Sequence, residues 1–290
     1  MVMHYWQMDV FAERPLTGNG LAVFDDARGL STATMQALTQ ELRQFESLFL
    51  LPGEVAGEYA ARIFTVEEEL PFAGHPILGA AALLHYLHEP GDNGHWRLRL
   101  SMKTVELRTR RQGQGFYAEM DQGEAEWGVR LSGEDARLYA EAFSLAAGDL
   151  DARYPVCVVS TGLPYLLLPV NGAALIRARQ NRADLDRLLA DIGAAFVYLL
   201  DVDALEGRTW DPLGVVEDVA TGSAAGPVAA YLVEHRRCVR DEPFVLNQGR
   251  FVGRPSRIDL RVGTDNRVRV GGTVQLLSRA ELLVNPSLLA

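Results

Sequence analysis

The pattern of apolar and polar positions divides the chain into short strands and a smaller number of helices. Residues 5–11 and 21–24 have the apolar, β-prone character of strands. After Ser31, apolar side chains recur three and four positions apart, which predicts a helix. Runs of the strand-like kind predict further strands at residues 47–51, 60–64, 96–108, 116–120, 155–160, 165–169, 196–200, 244–246, 257–262, 267–270 and 272–277.

Two of the predicted helices are rich in alanine and apolar on every side, at residues 76–85 and 228–234. Helices of that kind are expected to be buried. Each follows an acidic loop and a glycine turn, and the two glycines, Gly74 and Gly222, stand 148 positions apart. Three further positions of the two helices match at the same offset. This weak internal repeat favours two related halves over one continuous barrel.

The repeat sets the expected domain organisation. We expect an N-terminal half at residues 1–121 and a C-terminal half at 122–290, with the last strand or tail able to return to the N-terminal half. Glycine-rich stretches at residues 112–115 and 121–128 are the candidate hairpin and boundary. Two less apolar helices are predicted in the second half, at residues 132–145 and 183–192.

Composition and charge exclude several classes of partner. The 290 residues are 48% hydrophobic, which is ample for a folded core, and 28 Lys and Arg against 38 Asp and Glu give a net charge of −10. An acidic balance argues against nucleic acid or an anionic membrane as the main partner. No apolar run is long enough to span a bilayer, and the N-terminus lacks the pattern of a signal peptide. With only two cysteines, Cys157 and Cys238, we expect no disulfide scaffold and a cytoplasmic location.

The same residue counts disfavour several kinds of chemistry. The only lysine, Lys103, is expected on a strand among solvent-facing residues, which disfavours pyridoxal phosphate because that cofactor needs a lysine for its Schiff base. His85, His88 and Glu89 are spaced like metal ligands on one helix face, but no further cluster accompanies them, so we expect no metal. Neither cysteine lies at a glycine turn, which disfavours racemase chemistry with two thiols.

The two glycine turns are the strongest candidates for a site. A loop that enters a helix presents free N–H groups and the positive end of the helix dipole, so Gly74 and Gly222 can bring backbone close to a small anion. Ser223 can cap its helix or face the same ligand. His75 follows the first turn and Asp218 precedes the second. Each turn alone is more often a plain structural turn; the pair, each beside an acidic residue, favours a shared ligand.

Glu46 is the candidate acid or base. It lies between apolar residues at a predicted junction of helix and strand. A carboxyl group in an apolar environment has a raised pKa, which suits it to move protons near neutral pH. A solvated carboxylate is the more common fate of a single glutamate, so this interpretation needs burial.

Five motifs, in order and over nearly the whole chain, resemble the phenazine-biosynthesis PhzF-like family. The Pro-Phe-Ala-Gly-His-Pro and Asp-Val-Ala-Thr-Gly-Ser-Ala-Ala-Gly-Pro motifs are the most specific. The motifs are Asp9-Val-Phe-Ala12 with Gly18-Asn19, Glu46-Ser47-Leu48-Phe49, Leu70-Pro-Phe-Ala-Gly-His-Pro76, Glu217-Asp218-Val-Ala-Thr-Gly-Ser-Ala-Ala-Gly226, and Gln248-Gly249 with Gly253-Arg-Pro-Ser256.

The resemblance implies an α+β protein of the diaminopimelate epimerase-like fold, with two pseudo-symmetric halves. Each half would be a mixed or antiparallel sheet wrapped around a central helix, with the site in the cleft between the halves. It further implies an isomerase without a cofactor, usually a homodimer. By position, Glu46 is similar to the family's general acid/base. The resemblance matches three further positions to the family's other site residues: His75, Asp218 and Ser223. It also implies that the backbone of Gly74, Gly222 and Ser223 faces the substrate.

Three positions depart from the family pattern, and one of them, Phe45 beside the proposed base, bears on the substrate more than on the reaction. Gly20 stands where proline is common after Gly-Asn, Phe45 precedes Glu46 where a polar residue is usual, and Val66 replaces a common proline. Three functions stay open. An isomerase would move a proton between carbons of a small carboxylate-bearing substrate, an amino-acid epimerase or racemase would need a second base, and a small-anion-binding protein would need no turnover.

Overall fold

The computed structural model describes residues 3–53, 55, 57–101, 103–211 and 214–283. It divides the chain into two units. The first holds the described residues of Met1–Asp121 and Gly271–Ala290, and the second is Gln122–Val270. The segment from Gly271 onward thus belongs to the first unit.

Strands dominate both units. The first has β1 (Met3–Val10), β2 (Asn19–Phe24), α1 (Thr32–Leu42), β3 (Glu46–Pro52), β4 (Glu58–Phe64), β5 (Glu69–Leu70), α2 (Gly74–His88), β6 (Asn93–Arg99), β7 (Thr104–Gln112) and most of β8 (Gly115–Glu124). The second has β9 (Glu126–Leu131), α3 (Gly133–Glu141), β10 (Val156–Ser160), β11 (Pro164–Pro169), α4 (Gly172–Arg177), α5 (Leu185–Asp191), β12 (Phe196–Asp201), β13 (Glu206–Thr209), α6 (Gly222–Glu234), β14 (Phe244–Gln248) and β15 (Ser256–Val262). The last strand, β16 (Arg267–Leu282), begins in the second unit and ends in the first.

The first unit is a mixed sheet around α2. Its strands follow the order β1-β2-β3-β4-β6-β7-β8, and β16 pairs with β1. Neighbours are antiparallel except β2 with β3 and β4 with β6, which are parallel. Every residue of α2 from Gly74 to His85 is buried, as expected for a helix that is apolar on all sides. A second apolar cluster packs under α1, where the rings of Phe24 and Phe49 stack at 4.4 Å.

The second unit is a mixed sheet around α6. Its strands follow the order β9-β10-β11-β12-β13-β14-β15. Again two pairs are parallel, β11 with β12 and β13 with β14. Helix α6 packs against β10, β11 and β15, and it is buried from Ala224 to Val233. A separate apolar core lies under α3, α4 and α5.

The two units repeat one succession of pairings. In each, an antiparallel pair is followed by a parallel pair, another antiparallel pair and a parallel pair that encloses the central helix. The central helices begin at Gly74 and Gly222, the two glycines of the sequence repeat. The expectation of two pseudo-symmetric halves, each a sheet around a central helix, is confirmed.

Two strand predictions are wrong. Residues 96–108 form not one strand but the hairpin of β6 and β7, closed by a hydrogen bond from the Leu100 N–H to the Lys103 carbonyl. The apolar alternation continues through this turn and hides it. Lys103 therefore lies in the turn, where its ammonium group is 4.5 Å from the centre of the Phe72 ring. Conversely, the strands predicted on either side of Gly271 are one strand, β16.

The short elements were not predicted. They are β5, β13 and α4, each too brief to show a period of its own, and β9, whose first residues were expected to belong to a boundary segment. Residues 121–128, expected as a boundary, lie largely in β8 and β9. The hairpin predicted at 112–115 is confirmed, and Gly113 adopts the positive φ of 60° that its turn requires.

Candidate active site

Glu46 lies at the start of β3, directly after the loop that ends α1. The loop turns at Arg43, which adopts a left-handed conformation as the C-cap of the helix. Glu46 then pairs with Leu21 of the parallel neighbour β2. Its side chain is buried, with the residue only 6% exposed. The burial that the sequence interpretation required is therefore present.

His75 contacts this glutamate from the first turn of α2. Its Nδ1 lies 3.3 Å from Oε2 of Glu46 and 3.4 Å from Nδ2 of Asn19. Burial lowers the pKa of His75 to about 3, against a smaller raising effect of a backbone hydrogen bond with Gly20. The imidazole is thus neutral at physiological pH. The contact at Glu46 is therefore a close approach of a carboxyl group to a neutral ring rather than an ion pair.

The far nitrogen of the His75 ring, Nε2, is available to a ligand. Nε2 is buried and has no hydrogen-bond partner among the described residues. A buried polar atom left without a partner costs free energy, so such atoms in native proteins usually have a bound water or ligand. The cluster of Glu46, His75 and Asn19 therefore joins a buried carboxyl group, near Nδ1 of the ring, to a second ring nitrogen, Nε2, that can donate to or accept from a substrate.

Asp218 lies in the second unit, in the loop between β13 and α6. Its side chain is half-buried, and Oδ2 accepts a 2.5 Å hydrogen bond from the Thr221 hydroxyl. Its backbone N–H donates to the carbonyl of Thr209 at the end of β13. Gln248, from the end of β14, donates to the backbone carbonyl of Asp218 over 2.9 Å. Loop and side chain are both fixed by hydrogen bonds within the unit.

Gly222 and Ser223 form the first turn of α6. The Ser223 hydroxyl is 2.8 Å from the Tyr165 hydroxyl of β11, and the Gly222 carbonyl accepts a 2.9 Å hydrogen bond from Gln122. The residue that precedes the helix, Thr221, makes no side-chain cap bond to the helix. The N–H groups of this turn are therefore not capped by that side chain and can serve an anion.

Helix α2 has the same property at its first turn. The preceding residue, Ala73, offers no side-chain cap for the N–H groups of Gly74 and His75. The predicted residues thus form one cluster in each unit. Glu46, His75 and Gly74 lie together in the first, and Asp218, Gly222 and Ser223 lie together in the second.

Sequence reasoning missed the residues that support these clusters. Asn19 contacts His75, Gln248 and Thr221 hold Asp218, and Tyr165 contacts Ser223. Asn19, Thr221 and Gln248 all lie within the family-like motifs, so the motif order was the available signal. The partners of Asn19, Gln248 and Tyr165 lie far along the chain, and no periodicity shows such contacts.

The weaker candidates have structural roles. Both ring nitrogens of His85 are engaged, Nδ1 with the Thr109 hydroxyl at 2.8 Å and Nε2 with the Gly91 carbonyl at 2.9 Å. Cys157 lies buried in β10, and burial raises the pKa of its thiol to about 11. In the part of the chain that the structure describes, no group of three His, Cys, Asp or Glu side chains could hold a metal ion. Among the same residues, none of the helices has both the length and the apolar character to cross a membrane.

Two of the three departures lie beside the first cluster. A Cβ atom at Gly20 would lie 2.9 Å from Oε1 of Gln44, so this side chain occupies the space beside the glycine. Phe45 is half-buried next to Glu46. Val66 is on a surface loop, where its carbonyl accepts a hydrogen bond from Gln40 of α1.

Known proteins resemble this chain over its whole length. A family model described as phenazine biosynthesis-like protein, PhzC-PhzF, matches residues 8–279. The trans-2,3-dihydro-3-hydroxyanthranilate isomerase of Pseudomonas fluorescens is 35% identical over 97% of this chain and 100% of its own. A solved structure described as a predicted epimerase from Pseudomonas aeruginosa is 67% identical, with a TM-score of 0.95 over 98% of this chain and 100% of the other.

More distant structures share the fold alone. A hydroxyproline epimerase from Agrobacterium vitis is 12% identical, with a TM-score of 0.61 over 98% of this chain and 94% of the other. Together with the PhzF-family likeness, this confirms the expected diaminopimelate epimerase-like fold of the α+β class.

Proposed function

The chain belongs to the phenazine biosynthesis-like family, and from this we propose that it is an isomerase that moves a proton between carbons of a small carboxylate-bearing substrate. Glu46 is the proposed acid/base. It takes a proton from one carbon and returns it at another, so no net redox change and no external proton acceptor are needed. Relatives from three Pseudomonas species bear the name trans-2,3-dihydro-3-hydroxyanthranilate isomerase, which makes that compound the first candidate substrate.

The observation that supports the proposal most directly is the buried carboxyl of Glu46 beside the neutral ring of His75, 3.3 Å away. A general acid/base works best when its surroundings exclude water and hold it at a fixed distance from its partner. A neutral histidine can pass a hydrogen bond to the substrate through Nε2 without competing with Glu46 for the transferred proton.

We assign the second cluster to binding. Asp218 would accept hydrogen bonds from an amino or hydroxyl substituent, and the N–H groups of Gly222 and Ser223 would bind the substrate carboxylate. Those of Gly74 and His75 would serve the same anion or the charge that develops during proton transfer.

The decisive experiment follows carbon-bound hydrogen in deuterated water. The protein is incubated without added cofactor with trans-2,3-dihydro-3-hydroxyanthranilate, and NMR detects product and deuterium at carbon. We expect turnover with deuterium incorporation. Glu46→Gln should lower kcat/KM at least about 100-fold, because it removes the group that transfers the proton.

Glu41→Gln is the matched control, since Glu41 is exposed on α1 only five positions away and has the same chemistry. It should retain the wild-type rate. Full activity of Glu46→Gln on a substrate that the wild type isomerises would refute the assignment. Saturable binding of carboxylates with no turnover or exchange would instead indicate a small-anion-binding protein.

An epimerase is the second candidate, because the 67% identical structure is described as a predicted epimerase. Inversion at one carbon needs two bases on opposite faces, and Asp218 would have to be the second. The raised pKa of Cys157 keeps that thiol protonated at neutral pH, so it is poorly suited to replace Asp218. Loss of optical rotation by enantiopure amino acids with one stereocentre, or conversion of hydroxyproline to its diastereomer, would favour this candidate over the isomerase.

A further inference from the structure

Gln248 is a buried side chain that the proposed chemistry does not use. It is 2% exposed at the end of β14 and makes four hydrogen bonds. Its Oε1 accepts from the backbone N–H of Thr221 and from the Tyr198 hydroxyl, at 3.2 and 3.0 Å. Its Nε2 donates to the backbone carbonyl of Asp218 and to the Thr221 hydroxyl, both at 2.9 Å.

The orientation of this amide is fixed by backbone groups. A backbone N–H can only donate and a backbone carbonyl can only accept, so the contacts with Thr221 and Asp218 leave Gln248 a single orientation. The side-chain oxygen and nitrogen of Gln248 are therefore assigned by chemistry. Nε2 must be the donor in its contact with the Thr221 hydroxyl.

The fixed orientation of Gln248 also determines which atom donates in the next hydrogen bond, between Thr221 and Asp218. Because the hydroxyl oxygen of Thr221 accepts from Gln248, its single proton is available for the 2.5 Å bond to Oδ2 of Asp218. In that bond Oδ2 is the acceptor, an arrangement that favours the ionised carboxylate. The hydrogen bonds run in one direction, from Gln248 through Thr221 to Asp218.

We propose that Gln248 is a positioning residue that acts through Thr221: it fixes the direction of the Thr221 hydroxyl and thereby holds Asp218 as an oriented hydrogen-bond acceptor. This inference deepens the proposed function and rests on it for one consequence. Asp218 then binds a substrate group that donates hydrogen bonds, such as an ammonium or hydroxyl, and does not deliver a proton from Oδ2.

The ionisable residues around Gln248 and Asp218 preserve this arrangement near neutral pH. Burial raises the pKa of Tyr198 well above its ordinary value, and the charges of Asp218 and Glu206 add to this, so its hydroxyl stays a donor to Gln248. Glu206 is paired with Arg250 at 2.5 Å. Glu217, which precedes Asp218, is paired with Arg208 at 2.6 Å.

The first test titrates Asp218 in the folded full chain and needs no substrate. With ¹³C-labelled aspartate, the Asp218 carboxyl resonance is identified by its loss in Asp218→Asn. Thr221→Val removes the donor while keeping the shape, so the titration midpoint should rise by about one pH unit, since the charged form loses a hydrogen bond. Thr221→Ser keeps the hydroxyl and should restore the wild-type midpoint.

The second test asks whether Gln248 affects the Asp218 midpoint through Thr221. Gln248→Met should raise the midpoint in the wild-type background and leave it unchanged in the Thr221→Val background, because residues that act in series are not additive. Gln248→Glu keeps size and polarity if the methionine variant does not fold. Its shift should be larger with Thr221 present than in Thr221→Val, where only the added charge acts.

Tyr139→Phe is the matched control, because it also removes a buried hydroxyl bond in the second unit, to the Leu188 carbonyl. It should leave the Asp218 midpoint at its wild-type value. Unchanged midpoints in Thr221→Val and in the Gln248 variants, or fully additive shifts in the double variants, would overturn the proposal.

The consequence for substrate binding is read from kinetics. If the isomerase activity is present, the Thr221→Val and Gln248 variants should raise KM roughly 10-fold with a smaller change in kcat, and the acidic limb of kcat/KM should move to higher pH with the NMR midpoint. Equal KM values with an unshifted acidic limb would refute the binding role. A wild type without activity whose Asp218 still shifts would refute the proposed function and leave the hydrogen-bond chain supported.

Discussion

At the scale of single residues, burial and neighbouring groups determine the protonation states of the polar side chains that lie inside the protein. His75 is the clearest case. It is 4% exposed, and burial brings its pKa to about 3 against the smaller, raising effect of the hydrogen bond with Gly20. A buried neutral histidine makes stability depend on pH, because at mildly acidic pH the side chain of His75 binds a proton in the unfolded chain but not in the folded chain.

The sign of that dependence follows from the two pKa values, 6.5 in the unfolded state and about 3 in the folded state. Between them the unfolded state binds more protons, so the free energy of unfolding should fall as the pH drops from about 6.5 toward about 3. The slope from this one group is at most about 1.4 kcal/mol per pH unit.

Urea unfolding of the wild type and of His75→Gln at a series of pH values measures this contribution. Between about pH 6.5 and pH 4.5, the wild type should lose more stability than the variant, since glutamine does not titrate there. Parallel pH profiles for the two proteins would show that His75 is not the titrating group.

Gly226 gives a second prediction at this scale. A Cβ atom at this position would lie 2.0 Å from Oε1 of Gln122 and 2.4 Å from Oγ1 of Thr161, which bond to each other at 2.8 Å. Gly226→Ala should therefore destabilise the protein by about 1–3 kcal/mol, although alanine is the better helix former. Gly148→Ala, where an added Cβ meets nothing within 4 Å, is the control for thermal unfolding and should match or exceed the wild type.

At the scale of elements, the loop before α6 depends on an ion pair from the neighbouring strand. Arg208 of β13 bonds both carboxylate oxygens of Glu217, at 2.8 and 2.6 Å, and donates to the carbonyl of Leu175 in α4. Its guanidinium lies over the rings of Trp210 and Phe251. One arginine thus joins β13, α4 and the loop that carries Asp218.

Removing Arg208 should be costly because it leaves the Glu217 carboxylate largely buried without its partner. Arg208→Met should lower the free energy of unfolding by about 3–5 kcal/mol, and adding Glu217→Met should recover part of the loss. Denaturant unfolding measures both. Arg28→Gln, at an exposed pair with Asp26, is the comparison and should change little. A double variant as unstable as Arg208→Met would contradict the account.

At the scale of the whole molecule, the first unit is completed by the far end of the chain. β16 pairs with β1 from Met3 opposite Leu282 to Val10 opposite Val274, and Val274 is fully buried. The last strand therefore closes a sheet that the first strand begins. Pairing of strands so far apart in sequence requires closure of a long loop, which makes this step intrinsically slow.

Ending the chain at Val270 should expose the backbone of β1 that β16 normally pairs. Hydrogen exchange read by mass spectrometry should show faster exchange in β1, with β10 and β11 as the internal reference. The full-length chain supplies the baseline. Protection of β1 equal to that of the full chain would contradict the pairing.

The homodimer that the family resemblance implies is also a prediction at this scale. Light scattering during gel filtration should give twice the chain mass of 31.9 kDa. A mass equal to one chain at micromolar concentration would refute it. The cytoplasmic location stays a prediction made from the cysteine count.

The sequence by itself determined the elements whose signal is local. Apolar periodicity found most strands, and the two apolar helices begin at the glycines that the repeat predicted. The motif order identified the family and the residues Glu46, His75, Asp218 and Ser223. Burial of Glu46 was a condition of its proposed role that the sequence left open and the fold supplied.

Tertiary structure decided what those residues contact. The approach of Asn19 to His75 and of Gln248 to Thr221 joins positions far apart in the chain, and no local pattern records such pairs. The turn at Lys103 and the uninterrupted β16 were also decided by partners, since the same alternation can continue through a turn and a glycine pair can lie within a paired strand. A sequence fixes local conformational preference and polarity; only packing fixes which polar atoms meet and which protonation states they keep.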